Sequence, residues 1–394
     1  MKESLINKSG RHFLQIPGPS NVPERVLRAI DRASIDHRGP DFAKLTFRLL
    51  EKLKWIFKTS QDVIIYPSSG TGAWEAALVN VLNPGDKILA YETGFFATMW
   101  KQLAETIGFQ IDWVESNWRH GVDLDAIKLK LEQDTNHTIK AVMVVHNETS
   151  NGITSNLFGV RKVLDSVNHP ALLLADIVSS LGTCDYQHDE WGVDVAICAS
   201  QKGLMLPPGL GFNVISEKAK IAARKSKFKK YYWSWEQIMD LNKKGFYPYT
   251  PASGLFAGLN ESLDMLQEEG LEAIFKRHAD YSKATRIALD HWGLENYCKV
   301  PEQYSQSVTA ILIPDGYDAD QLMAAILERF NMSLGSGLGK LKGKVFRIGH
   351  LGDLNELTLL GTLAGVEMGL ELCGVPFNKG GVQLAMNFFT SSQT

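Results

Sequence analysis

Between residues 62 and 199 the chain repeats one pattern: a short apolar run, a turn, then a stretch with helix-forming periodicity. The runs are Asp62–Tyr66, Lys87–Tyr91, Gln110–Val114, Ala141–Val145, Leu172–Ala175 and Val193–Ala199. Several are apolar throughout, as strands covered on both faces must be. After the first, Pro67-Ser68-Ser69-Gly70 makes a turn and Thr71–Leu82 reads as a helix stopped by Pro84-Gly85. Strands alternating with helices in this way predict an α/β fold on a large, mainly parallel sheet.

The flanks differ. The first twenty residues have no clear period and end in Pro17-Gly18-Pro19-Ser20-Asn21, an arm followed by a turn. Pro23–Arg32 reads as a helix with proline in its first turn. Glu261–Trp292 is a long run of helix formers with a hinge at Glu269-Gly270. Val308–Ile313 and Lys344–Ile348 then read as strands and Asn355–Leu372 as a helix. The expected division is an N-terminal arm (1–20), a large domain (21–270) and a smaller C-terminal α+β domain (271–394); a chain of 394 residues is long enough for two cores.

The formal charge of −3, from 41 basic and 44 acidic residues, gives no reason to expect nucleic acid or an anionic membrane as a partner. The basic stretch Arg224–Lys230, beside Tyr231, Tyr232 and Trp233, reads as a solvated helix face. No window holds the roughly 18 uncharged apolar residues of a membrane helix. The opening MKESLINKSGRHFLQ does not read as a secretory signal, nor the closing Ser-Ser-Gln-Thr as a peroxisomal address, so a cytoplasmic protein is expected. Cys184, Cys198, Cys298 and Cys373 are far apart, which suggests neither a metal site nor a disulfide framework, and a reducing compartment.

Three places carry chemistry. Ser69-Gly70-Thr71-Gly72 joins an apolar strand to a helix start, where free N–H groups and a hydroxyl make an anion site. An ordinary glycine-rich turn with a serine cap reads the same way. It matches neither the G-x-x-x-x-G-K-[ST] loop nor the G-x-G-x-x-G fingerprint. Asp176 directly follows the apolar run Ala171–Ala175, at the strand end where α/β sheets place ligands, though a turn residue is equally at home there. Lys202 follows the next strand, flanked by apolar sequence; a lysine desolvated there loses its charge more easily and can form a Schiff base. An anion cradle, a carboxylate and an amine at three strand ends together fit pyridoxal 5′-phosphate (PLP), which needs a phosphate anchor, a ring-nitrogen partner and an imine lysine.

Longer motifs point the same way. They are Phe13–Pro19 (FLQIPGP), Ser69–Leu78 (SGTGAWEAAL), His146–Thr149 (HNET), Asp189–Ala196 (DEWGVDVA), Ser200–Lys202 (SQK), Pro248–Pro251 (PYTP) and Phe346–Gly352 (FRIGHLG). In these, nearly end to end, the sequence resembles the serine–glyoxylate aminotransferases, in the alanine–glyoxylate branch of the class V, fold-type-I PLP enzymes. The resemblance implies transamination of L-serine with glyoxylate; an alanine–glyoxylate or aspartate aminotransferase of the same family is the alternative.

It also implies roles. Lys202 would hold the cofactor as an imine and shuttle a proton, and Asp176 would pair with the ring nitrogen. Phe96 would stack on one ring face and Val178 pack on the other. Ser69, Gly70, Thr71 and Gln201 would hold the phosphate, and Thr149 would contact the ring hydroxyl. Tyr247 and Thr250 would reach the phosphate of a neighbouring subunit, which makes the protein a homodimer with shared sites. Arg347 would clamp the substrate carboxylate; without the family it reads equally as a strand-edge ion pair. His37 and Arg38 lie in a loop expected to enter the partner's site and help select the substrate, and His37 stands where many plant relatives have tyrosine. No metal is implied.

Overall fold

The structure is a computed structural model and describes residues 10–391. Residues 1–9 of the expected arm and residues 392–394 of the tail lie outside the described residues.

The strands in chain order are β1 (Phe13–Gln15), β2 (Asp62–Ser68), β3 (Lys87–Tyr91), β4 (Gln110–Val114), β5 (Ile139–Val145), β6 (Asn147–Glu148), β7 (Ile153–Thr154), β8 (Leu172–Asp176), β9 (Val195–Ala199), β10 (Gly209–Ile215), β11 (Glu295–Asn296), β12 (Val308–Leu312), β13 (Met332–Ser336) and β14 (Val345–Gly349). Seven build a sheet in the order β2-β10-β9-β8-β5-β3-β4. Its pairs are parallel except those of β10, which runs antiparallel to both β2 and β9. Every residue of β8 and β9 is buried, which their unbroken apolar sequence requires. The apolar faces of this sheet and its helices form one core, from Val26 to Ile274.

The second sheet has the order β1-β13-β14-β12-β11, and a separate core from Tyr281 to Ala385 packs against it. The arm is therefore not structureless: Phe13–Gln15 pairs in parallel with Met332–Leu334 and joins the small sheet. A third, minor cluster, Trp118, Tyr297, Ala310, Leu341 and Val345, packs between the two.

The long helical run is two helices, Ser253–Glu269 and Leu271–Trp292, broken at Gly270, whose φ of +83° suits glycine. Helix α1 (Glu24–Ile30) begins one residue after Pro23 and stops two residues short of the expected Arg32. Helix α2 (Pro40–Phe57) buries Phe42, Leu49 and Leu53. Helix α3 (Gly70–Val81) follows β2, and α4 (Phe95–Thr106) follows β3. The basic stretch 224–230 is solvated but not a helix face, because the helix Glu217–Lys225 ends there. Ser226 Oγ donates to the carbonyls of Val79 and Leu82, and the Lys227 N–H to Asn83 Oδ1, so the chain leaves the helix for bonds to the end of α3. Among the described residues no helix is long and apolar enough to cross a membrane.

Candidate active site

Strands β2, β8 and β9 point the same way, so the residues after them gather at one edge of the large sheet. Ser69 caps α3, its Oγ accepting the Gly72 N–H at 3.4 Å. Gly70 lies close enough that a Cβ there would be 3.2 Å from Val178 Cγ2 and 3.5 Å from Ala199 Cβ, which brings the ends of three strands together. At Gly72 a Cβ would collide with Ser68 Oγ. The start of α3 is thus kept free of bulk at Gly70 and Gly72, and a helix N-terminus of this kind suits an anion.

Asp176 ends β8 and is 4% exposed. Its Oδ1 accepts the Val178 N–H at 2.8 Å and its Oδ2 the Trp74 indole N–H at 2.8 Å. Burial pushes the carboxyl up to about 7, against the pull of these two donors and of Lys202; Glu148 adds to the push. Lys202 is 8% exposed, and its Nζ donates to the carbonyl of Pro17. Burial lowers the amine from 10.5 to about 8, the Arg347 charge lowers it further, and Asp176 opposes both. The pair holds an amine that sheds its proton readily beside a carboxylate that is costly to ionise.

The turn after β1 grips this lysine. Gly18, with φ of +95°, lies against the Lys202 side chain. Ser20 Oγ donates to the Lys202 carbonyl at 3.0 Å and the Ser20 N–H to the Gln201 carbonyl at 2.9 Å.

Arg347 comes from β14, the central strand of the small sheet, and is 6% exposed. It is therefore no strand-edge surface residue. Its Nε donates to the Ser336 carbonyl at 2.8 Å and its Nη1 to the Thr149 carbonyl at 2.6 Å. Among the described residues no carboxylate lies within ion-pair distance, although Glu148 is near enough to support its charge. Burial lowers its guanidinium to about 10, against the pull of Glu148. A buried guanidinium without a carboxylate is a ready anion receptor.

Glu148, fully buried, accepts the backbone N–H groups of Phe96 and Ala97 at 3.3 and 3.2 Å and so caps α4. That fixes the half-buried Phe96 next to Gly94, where a Cβ would strike the Glu148 side chain.

The structure thus brings together Ser69, Gly70, Thr71, Asp176, Val178, Gln201, Lys202, Thr149, Phe96 and Arg347. Four expected residues stand apart. Tyr247 packs its ring against Phe42, Tyr249 and Phe256, and its buried hydroxyl has no hydrogen-bond partner among the described residues. Thr250 and Arg38 are exposed, and His37 Nε2 is buried without a partner among the described residues. No hydrogen bond or ion pair joins these four to Lys202, Asp176 or Arg347 among the described residues. His146 and His350 are buried and bonded, to Ser180 Oγ at 2.8 Å and to Thr309 Oγ1 at 2.9 Å. A surface cleft of about 890 Å³, lined by residues such as Asp62, Lys220 and Lys243, shares none of the site residues.

Sequence reasoning missed Trp74, Pro17, Gly18 and Glu148. Trp74 sits at core spacing on a helix, and nothing local shows that its N–H finds a carboxylate. Pro17-Gly18 was visible only as a turn.

The chemistry of the donor set fits PLP: an anion-holding helix start, a carboxylate for a ring nitrogen, an amine able to lose its proton, and a guanidinium for a carboxylate substrate. A seven-stranded, mainly parallel sheet carrying this set beside a smaller sheet is the architecture of the fold-type-I PLP transferases. The chain belongs to the aminotransferase class-V family, which matches residues 12–340. It is 48% identical to the serine–glyoxylate aminotransferase of Arabidopsis thaliana over 382 residues, covering 96% of this chain and 95% of that one. It is 42% identical to the L-aspartate–glyoxylate aminotransferase of Paracoccus denitrificans, covering 95% of each. The crystal structure of the ureidoglycine–glyoxylate aminotransferase of Bacillus subtilis superposes with a TM-score of 0.89 at 26% identity, covering 97% of this chain and 99% of that one.

Proposed function

We propose that this chain transfers the amino group of L-serine to glyoxylate, giving hydroxypyruvate and glycine, with PLP on Lys202. The observation that carries the reading is the buried Lys202 amine within electrostatic reach of both Asp176 and Arg347. PLP, when bound, supplies an aldehyde that accepts the amino group and a ring that takes up the electrons left when the α-proton departs.

The chain's residues do the rest. Ser69, Gly70, Thr71 and Gln201 hold the phosphate, with N–H groups of the first turn of α3 as donors. Asp176 would pair with the ring nitrogen, Phe96 and Val178 would pack on the two ring faces, and Thr149 would contact the ring hydroxyl. Arg347 binds the α-carboxylate of the amino acid in a planar fork. Lys202 Nζ, once the nitrogen of the amino acid has displaced it from the cofactor, would be a free amine of lowered proton affinity and would take the α-proton. Tyr247 and Thr250 reach the phosphate of a second copy, and His37 and Arg38 reach its substrate, so the working unit is a homodimer. The protein acts in the cytoplasm.

The substrate assignment is supported by the serine–glyoxylate relative at 48% identity. The aspartate–glyoxylate relative at 42% favours aspartate as the second choice of donor. Purified protein is expected to be yellow, and hydride trapping followed by mass spectrometry to place the adduct on Lys202. Steady-state rates with serine, alanine and aspartate, each against glyoxylate and pyruvate, decide the donor; protein that ignores serine loses the substrate assignment. Label on another side chain, or none at all, overturns the mechanism.

A further inference from the structure

One of the two hydrogen bonds that hold the Asp176 carboxylate comes from its own turn, the Val178 N–H; the other crosses 102 residues of sequence, from Trp74. Trp74 sits in α3, just beyond the open first turn of that helix. Its side chain is 3% exposed and lies flat on Trp100 of α4, with ring centroids 5.7 Å apart and planes at 12°. The stack fixes the direction of the indole. An indole N–H donates and cannot accept. Aimed at a buried carboxyl, it favours the ionised oxygen over the protonated one.

We propose that Trp74 is a positioning residue: its N–H favours the ionised form of the Asp176 carboxylate and aims it for the cofactor's ring nitrogen, and α3 ties that carboxylate to the turn at residues 69–72. One helix then sets the distance between the two anchor points that a phosphate-bearing pyridine needs. The proposal rests on the reading of Asp176 as the partner of the ring nitrogen.

The balance at Asp176 shows why a second donor matters. Burial pushes its carboxyl up, and the Val178 and Trp74 N–H groups pull it down. The other titratable groups facing it are Glu148, which pushes up, Lys202, which pulls down, and Cys198 of β9, whose own thiol the carboxylate pushes up. Without the indole N–H the carboxyl holds its proton to higher pH. A protonated Asp176 offers no negative charge to a ring nitrogen, so cofactor affinity is lost as pH falls through a higher midpoint.

The test uses PLP binding to cofactor-depleted full-length protein, measured by ultrafiltration from mildly acid to mildly alkaline pH. Trp74→Phe is expected to weaken PLP roughly tenfold near neutrality, the scale of one charge-assisted hydrogen bond, and to move the acid limb to higher pH. Trp100→Phe keeps an aromatic ring against the indole and keeps the Trp74 N–H, and the limb is expected to stay in place. In an Asp176→Ala background, Trp74→Phe is expected to add no further loss. Trp74→Leu, which also lacks the donor, replaces Trp74→Phe should that variant not fold. A limb unmoved by loss of the indole, an equal shift in Trp100→Phe, or the same loss with and without Asp176 overturns the proposal. Asp176→Ala protein that binds PLP as tightly as the wild type sinks the underlying reading of Asp176 as well.

Discussion

Gly18 lies flat against the side chain of Lys202: a Cβ at Gly18 would sit 2.4 Å from Cδ and 2.6 Å from Nζ. The backbone there has φ of +95°, so any larger residue meets both a collision and roughly 1–3 kcal/mol of strain. Gly18→Ala is expected to displace the lysine and cut PLP content at least tenfold in protein that still folds, read as the ratio of cofactor to protein absorbance. Full occupancy in that variant contradicts the packing described.

The lowered proton affinity of Lys202 gives a pH signature. Its folded value, about 8, lies below the ordinary 10.5, so the unfolded chain binds more protons between the two. The stability this group contributes therefore rises with pH across that window. The same shift sets reactivity, because only the neutral amine attacks an aldehyde. Stopped-flow capture of PLP by depleted protein should accelerate with pH around a midpoint near 8. A midpoint at the ordinary lysine value would mean the amine is not desolvated.

Asp176 has the opposite linkage. Its folded value, about 7, lies above the ordinary 3.8, so the cofactor-free native state binds the extra proton. Its contribution to stability is present below 3.8 and is lost as pH rises toward 7. Urea unfolding of the depleted protein should show that decline, and Asp176→Asn should flatten it. An identical slope in both proteins rules out a raised Asp176.

Arg347 uses a planar fork: Nε on the Ser336 carbonyl, Nη1 on the Thr149 carbonyl. Lysine cannot bond both and still face a substrate. Arg347→Lys is expected to raise KM for the amino acid roughly 10–100-fold, the loss of a bidentate charge-assisted contact, with a smaller change in kcat. An unchanged KM removes Arg347 from substrate binding.

The Tyr247 hydroxyl is buried with no partner among the described residues of its own chain. If its partner is the phosphate of a second copy, Lys202→Ala and Thr250→Ala proteins, each weak alone, should regain activity when unfolded together and refolded as mixed dimers. Mixed dimers no better than their parents exclude shared sites. Tyr247→Phe gives a second reading, since only a bond made across chains makes that substitution cost cofactor affinity.

How much of this was written in the sequence depends on the range of the forces. Lys87–Tyr91 was read with its observed ends because a strand covered on both faces is apolar almost residue after residue, and Gln110–Val114, only part-buried at the sheet edge, also matches its observed ends. β10 escaped notice: Gly209, Gly211 and Asn213 break its pattern, and its place comes from pairing with β2 and β9. β1 is three residues long and is held by a partner more than 300 positions away, so no local signal exists. In the site, Lys202 and Asp176 were legible because strand ends are where α/β sheets expose reactive groups. Trp74 and Gly18 were not, since their roles consist entirely of contacts with residues distant in sequence.

Residues 13–15 belong to the small sheet, while Ser20 is bonded to the lysine that follows β9 of the large one. Residues 16–19 must bridge the gap, and the five Cα–Cα steps from Gln15 to Ser20 reach at most roughly 18 Å. A link that short limits how far the small sheet can part from Lys202, and any wider parting has to break the Ser20 bonds to Gln201 and Lys202.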